Sequence, residues 1–371
     1  MKKLFLLTIC MIGTFLFLTA CNNSNPATTN SLSAATPIAS QSANLSPSKA
    51  IGNFREYDLP QAKSGLMRPA IDHEGRIWFG EMNQNYLASF DPSTQMFQQI
   101  RPPRAAFGIM TVAIAPDDTV WFSEQYANYI GHYFPDTHQF QTYDLPILKT
   151  PDPSDNKNTL TLPSAPNDIA FDAHGNVWFA EMNADALGML DIKTGQVKHY
   201  QLSPQKSIQA LAPYGITIDP QGMVWFTEAN TNKLGRLDPR TGAIRLYTLS
   251  GPNDPLMEVA SDTHSMIWAT TFNQTILLRF DPVKETFTPY HAPSSGHGEG
   301  GMYGLVIAPD GNIWLAATSE NSIARFDVAT QRFTSYQIPT QGSVPFGIVM
   351  AKDHTLWFTE SSGNKIGMLQ P

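Results

Sequence analysis

The chain has 371 residues, with 24 Lys and Arg against 32 Asp and Glu, for a net charge of −8. That balance argues against a basic nucleic-acid groove, and no nucleic-acid partner is expected. Both cysteines, Cys10 and Cys21, lie near the N-terminus, so the region that follows them has no disulfide, thiolate zinc site or cysteine nucleophile.

In chain order, the first segment is a leader. Lys2 and Lys3 precede an apolar run from Leu4 to Leu18, which small residues close at Thr19-Ala20-Cys21. The run is short for a membrane span and has the layout of an export signal. Leu18-Thr19-Ala20-Cys21 resembles the lipobox of bacterial lipoproteins, which implies cleavage before Cys21 and a lipid anchor on it. The expected location is therefore extracytoplasmic and membrane-anchored. Residues 22–52 are rich in Ser, Thr, Asn, Ala and Pro without apolar periodicity, and read as a flexible tether. The folded domain is expected over 53–371, as a monomer.

The seven tryptophans, Trp78, Trp121, Trp178, Trp225, Trp268, Trp314 and Trp357, all fall in one repeated phrase, at intervals of 43 to 57 residues. The clearest copy runs from Pro213 to Leu249. It reads as a short apolar strand near Gly215–Ile218, a second carrying Val224-Trp225-Phe226, a third over Lys233–Leu237 and a fourth from Ile244. Four short strands per repeat at this period make one propeller blade. The fourth-strand motif also occurs seven times, but its first copy, Phe54–Pro60, precedes every tryptophan, and the last copy of strands one to three has no fourth strand after it. The prediction is an all-β, seven-bladed β-propeller whose last blade is closed by the N-terminal strand, leaving no open sheet edge around the ring. The tryptophans are expected to pack between neighbouring blades.

The phrase Pro213-Tyr-Gly-Ile, Val224-Trp-Phe-Thr-Glu228 and Asn232-Lys-Leu-Gly-Arg-Leu237 resembles the virginiamycin B lyase (streptogramin lyase) family, and the resemblance covers nearly the whole domain from about residue 54. It implies a seven-bladed propeller and a magnesium-assisted elimination that opens the ester of a cyclic antibiotic. It also implies histidines just after proline in two late blades, where this chain has Tyr303 and Phe346. Phenylalanine accepts no proton, and tyrosine is a poor base at neutral pH. Glu360 occupies the place of a late-blade glutamate, but Glu81, Glu124, Glu181 and Glu228 repeat it in other blades, which points to scaffold. A weaker, one-blade likeness joins Pro166–Phe179 to gluconolactonase-like propellers and implies a divalent-metal role for Asn167.

What breaks the repeat is the candidate for function. Ten residues before each tryptophan stand Arg68, Thr111, Asp168, Gly215, Glu258, Gly304 and Gly347. The preceding slot holds Met67, Met110, Asn167, Tyr214, Met257, Tyr303 and Phe346. Together they predict an apolar and aromatic channel mouth with a few polar groups, suited to a small organic or sugar-derived ligand held by Arg68, Tyr214, Met257 and Phe346. Asn167, Asp168 and Glu258 are hard oxygen donors that could hold Mg²⁺ or Ca²⁺. Two insertions depart from the period, Ile147–Ala165 and Ser294–Gly301. The second sets His297 and Glu299 among glycines next to Tyr303, and these three are the candidate catalytic residues. Three readings stay open: a ligand-binding propeller without catalysis, a metal-dependent lyase or lactone hydrolase, and a protein-interaction platform.

Overall fold

In the computed structural model the described residues are 48–50, 52–104, 108–152, 155–202, 211–251, 254–293 and 301–371. The leader, Cys21 and nearly all of the segment read as a tether lie outside them. Among the described residues every regular element is a strand.

Seven four-stranded antiparallel sheets follow one another along the chain. Blade four is typical: Pro213–Ile218, Val224–Glu228, Lys233–Leu237 and Ile244–Thr248 pair in that order. In blade seven, Pro345–Met350, Leu356–Glu360 and Lys365–Gln370 are completed by Asn53–Asp58, with Phe54 opposite Leu369 and Tyr57 opposite Ile366. The predicted closure is therefore present in the backbone register.

The core is divided into seven hydrophobic clusters, and each spans two consecutive blades. Trp225 of blade four packs with Val259, Ile267 and Phe280 of blade five. Trp357 of blade seven packs with Phe79 and Phe90 of blade one, which shuts the ring. Every tryptophan sits in such a junction. Their polar atoms are met by a residue that periodicity alone did not single out. Asp72, Asp172, Asp219 and Asp262 stand six residues before a tryptophan and accept its Nε1–H at 2.8, 3.1, 2.8 and 3.0 Å. Ala115, Ala308 and Ala351 hold that place in the other three blades.

Packing within a blade trades volume across adjacent strands. Gly235 lies beside the Phe226 ring, where a Cβ would come within 2.0 Å of the ring, and Gly131, Gly188 and Gly367 repeat this against Phe122, Phe179 and Phe358. Blade five reverses the sizes, with Leu278 opposite Ala269. Close packing explains why only one member of each pair can be large.

Two segments depart from the plain repeat. Ser48–Ala50, assigned above to the tether, pairs in parallel with the outer strand of blade six. The Ile147–Ala165 insertion, given above only as a departure from the period, holds a two-stranded antiparallel sheet of Ile147–Asp152 and Asp155–Pro163. The asparagines after strand two also do more than turn the chain. Asn128, in left-handed backbone geometry, donates to Leu145 O and Pro146 O and accepts from Ala165 N, and Asn364 and Asn321 tie their own blade junctions in the same way.

A buried charge network in the channel

The residues ten before each tryptophan come together at the ring axis, because strand one is the innermost strand of every blade. Hydroxyls two residues after tryptophan hold these strands in place. Thr227 accepts from Gly215 N and donates to Met257 O, and Thr270 accepts from Glu258 N and donates to Tyr303 O. Ser123 does the same between Thr111 N and Asn167 O. Each of these side chains fixes its own first strand against that of the next blade.

Arg68, Asp168 and Glu258, from blades one, three and five, form one connected group. Arg68 Nε donates to Glu258 Oε2 at 2.6 Å, and Nη1 donates to Thr111 Oγ1 at 3.1 Å. Thr111 passes the link on to Asp168 Oδ1 at 3.3 Å. Asp168 also accepts from Ile169 N and, across the blade junction, from Ile216 N, both at 2.9 Å. The guanidinium lies over the Tyr214 ring, 4.7 Å from its centroid. Burial pushes the Glu258 carboxyl up to about 7; the neighbouring Arg68 charge pulls it down and Asp168 pushes it up again. Arg68 stays firmly charged, since the attraction of Glu258, Tyr214 and Asp168 overrides the burial that alone would lower its pKa. Arg68, Thr111, Asp168 and Glu258 border a cavity of about 180 Å³, whose walls also include Gly304 and Gly347. Three buried polar atoms in this region have no partner: Arg68 Nη2, Tyr214 OH and Asn167 Oδ1.

The neighbouring slot differs from its prediction as an open mouth. Met67, Met110, Asn167, Tyr214, Met257, Tyr303 and Phe346 are all at most 7% exposed, a packed layer across the channel. Tyr303 and Phe346 stack with centroids 4.5 Å apart. Burial raises the Tyr303 hydroxyl above its ordinary pKa, so the phenolate that could take a proton is even less populated at neutral pH than for a free tyrosine. Of the ligand-contact candidates, Arg68 borders the cavity, whereas Tyr214, Met257 and Phe346 belong to the packed layer. His297 and Glu299 lie outside the described residues.

The metal reading of Asn167, Asp168 and Glu258 does not fit this geometry. Asn167 is turned toward the next blade, donating Nδ2 to Tyr214 O at 3.0 Å. Both Asp168 oxygens already accept backbone N–H groups, one Glu258 oxygen is taken by Arg68, and the guanidinium supplies the positive charge. Among the described residues no group of three or more His, Cys, Asp or Glu side chains is arranged to hold a metal ion.

The repeated glutamates are buried as well: Glu81, Glu124, Glu181, Glu228 and Glu360 are at most 1% exposed. Three of the five have a side-chain partner. Gln99 donates to Glu81, His199 Nδ1 lies 2.6 Å from Glu181, and Thr231 donates to Glu228. Burial pushes Glu124 and Glu360 up to about 8 and Glu228 to about 7. The native state thus holds protons that the unfolded chain has lost, and stability falls as pH rises through this range. His132 acts in a lower window, because burial depresses it to about 4. Between pH 6.5 and 8.5 the unfolding free energy from urea titration should therefore drop by a few kcal/mol, on the scale of about 1.4 kcal/mol per unit and group, and the midpoint with it. Glu124→Gln should flatten part of that slope; a midpoint that rises across the window would contradict the assignment.

Residues 208–371 match the model of the Virginiamycin B lyase family. The solved streptogramin B lyase superposes with a TM-score of 0.74 at 24% identity, covering 86% of this chain and 97% of its own. A catalytically inactive virginiamycin B lyase from Staphylococcus aureus, solved with quinupristin, gives 0.74 at 22% identity over 86% and 99% of the two chains. The extracellular domain of a hybrid two-component system protein from B. thetaiotaomicron gives 0.64 at 15%, over 86% of this chain and 40% of that one. No curated protein matched. The chain is a seven-bladed β-propeller that resembles the virginiamycin B lyase family, by sequence over residues 208–371 and by fold over 86% of its length.

Proposed function

We propose that this protein is an exported, lipid-anchored propeller, built on the streptogramin-lyase plan, that binds a small organic or sugar-derived ligand in its channel without opening an antibiotic ester. The observation that carries the reading is the 180 Å³ cavity bordered by Arg68, Asp168 and Glu258, with Arg68 Nη2 and Tyr214 OH buried nearby and unpartnered. Tyr303 and Phe346, in place of the histidines expected from the family, support binding over elimination. A metal-assisted lyase or lactonase would need donors beyond the described residues. The signal and Cys21 support export and anchoring.

The test has two arms on the mature protein. Incubation with quinupristin and Mg²⁺, followed by mass spectrometry, should leave the antibiotic cyclic. A melting screen with monosaccharides, amino sugars and lactones should yield at least one stabiliser whose effect shrinks in Glu258→Gln, a change at the cavity wall. A linearised product, or a screen without any stabiliser, would overturn the reading.

A further inference from the structure

The outer edge of blade four, away from the channel, gathers positive charge that the repeat does not call for. Arg236 on the third strand stands directly opposite Arg245 on the fourth, and Arg240 sits in the turn between them. Like charges directly opposite in an antiparallel pair are destabilising. Blades five and six place Thr288 and Thr334 opposite the matching Arg279 and Arg325. Arg236 and Arg325 each cover the tryptophan of their own blade, 5.7 and 5.9 Å from the ring centroid. Arg325 is balanced there by Asp310 and Asp327, at 3.8 and 3.7 Å. In blade four Gln221 stands in the place of Asp310, and Asp238, the counterpart of Asp327, is taken by Arg240 at 3.2 and 3.3 Å. Arg245 is taken by Glu285 of blade five. Arg236 is left without a hydrogen-bond or ion-pair partner among the described residues.

The space at this edge matches its charge. Arg236, Arg240 and Arg245 line an open groove of about 570 Å³, within the range of small-molecule sites, and Met223, Ala243 and Ile244 form its apolar part. Three guanidiniums against Asp238 and Glu285 leave one positive charge over. We propose that this groove binds a small phosphate or sulfate ester, with the oxyanion held by Arg236 and Arg240 and the carbon portion resting on Met223, Ala243 and Ile244. A tetrahedral oxyanion offers acceptors in several directions, which suits guanidiniums that arrive from a strand and from a turn. A bare ion would leave the apolar part of the groove empty. A broad anionic surface such as a bilayer is disfavoured, because the matching turns of blades three, five and six carry Asp191, Asp281 and Asp327. The groove is separate from the channel cavity, so this site does not depend on the binding function proposed above.

The experiment is a calorimetric titration of the mature protein at fixed ionic strength with glucose 6-phosphate, glucose 6-sulfate, inorganic phosphate and glucose. It is run on the wild type, on Arg236→Gln and on Arg325→Gln, the matching change in blade six. The expected result is that at least one ester binds several-fold more tightly than inorganic phosphate, whereas glucose does not bind. Arg236→Gln should weaken that ester about tenfold or more, the loss of hydrogen bonds between charged partners. Arg325→Gln should leave its affinity unchanged. Because Arg236→Gln also relieves the like-charge pair, it should melt no lower than the wild type. If it fails to fold, Arg240→Gln provides the same reading from the turn. Inorganic phosphate binding as tightly as both esters, an equal loss in the blade-four and blade-six variants, or absence of binding by either ester would each overturn the proposal.

Discussion

Arg68→Leu is expected to destabilise the propeller by about 3–5 kcal/mol, the usual cost of leaving a buried charge without its partner. Asp168 and Glu258 would then face each other without a cation, and Thr111 would lose its donor. The penalty should be smaller at pH 6 than at pH 8.5, because Glu258, raised to about 7, can then take a proton. The companion variant is the double replacement Arg68→Leu with Glu258→Leu. Removing both members of a buried ion pair in favour of apolar groups is often close to neutral. Most of the loss should therefore return in the double variant, and a double-mutant cycle in urea measures the coupling. A single-variant loss below 1 kcal/mol would show that the network does not brace blades one, three and five.

Removal of residues 1–58 is expected to prevent folding altogether. Asn53–Asp58 pairs with Lys365–Gln370 along its full length, and without it the third strand of blade seven becomes an exposed edge. Tyr57 would also leave the junction between blades seven and one, where its ring lies 4.6 Å from Phe90 and 6.1 Å from Trp357. Losing a fully buried aromatic costs about 3–5 kcal/mol; Tyr57 and Phe54, both partly buried, each carry part of that, and the six-residue strand pairing goes with them. Together these approach the whole stability of a domain, typically about 5–15 kcal/mol. The truncated chain should be aggregated and lack a cooperative melt, and a peptide of residues 46–60 added in trans should restore both monomer and transition. A truncated chain that melts cooperatively as a monomer would refute velcro-type closure as the keystone of the ring.

Much of the architecture was readable from residue order because it repeats. Seven tryptophans at near-constant spacing locate seven second strands, and their spacing to the preceding slots places Arg68, Thr111, Asp168 and Glu258 at the same height in blades one, two, three and five. The displaced fourth-strand motif at Phe54 announced the closure. Other features were present but unread. Aspartate six residues before tryptophan is a visible pattern, yet its role as acceptor for the indole N–H emerges only when the turn folds back on strand two. The turn geometry of Asn128, Asn321 and Asn364 is local, whereas their hold on the chain entering the next blade is not.

The sequence by itself determined the number of blades, the order of strands, the closure and the set of residues on the channel axis, since each follows from local periodicity and from a period of a few dozen residues. Only the tertiary structure decided which of those residues meet. Arg68 and Glu258 are 190 positions apart, and nothing in linear order says that a guanidinium from blade one reaches a carboxylate in blade five. Without that contact the carboxylates read as metal ligands and the aromatic slot as an open mouth. With it they are a charge-sharing group beside a packed layer. The reason is geometric: a closed ring brings every blade to one axis, so the chemistry at its centre depends on contacts across the ring that no repeat encodes.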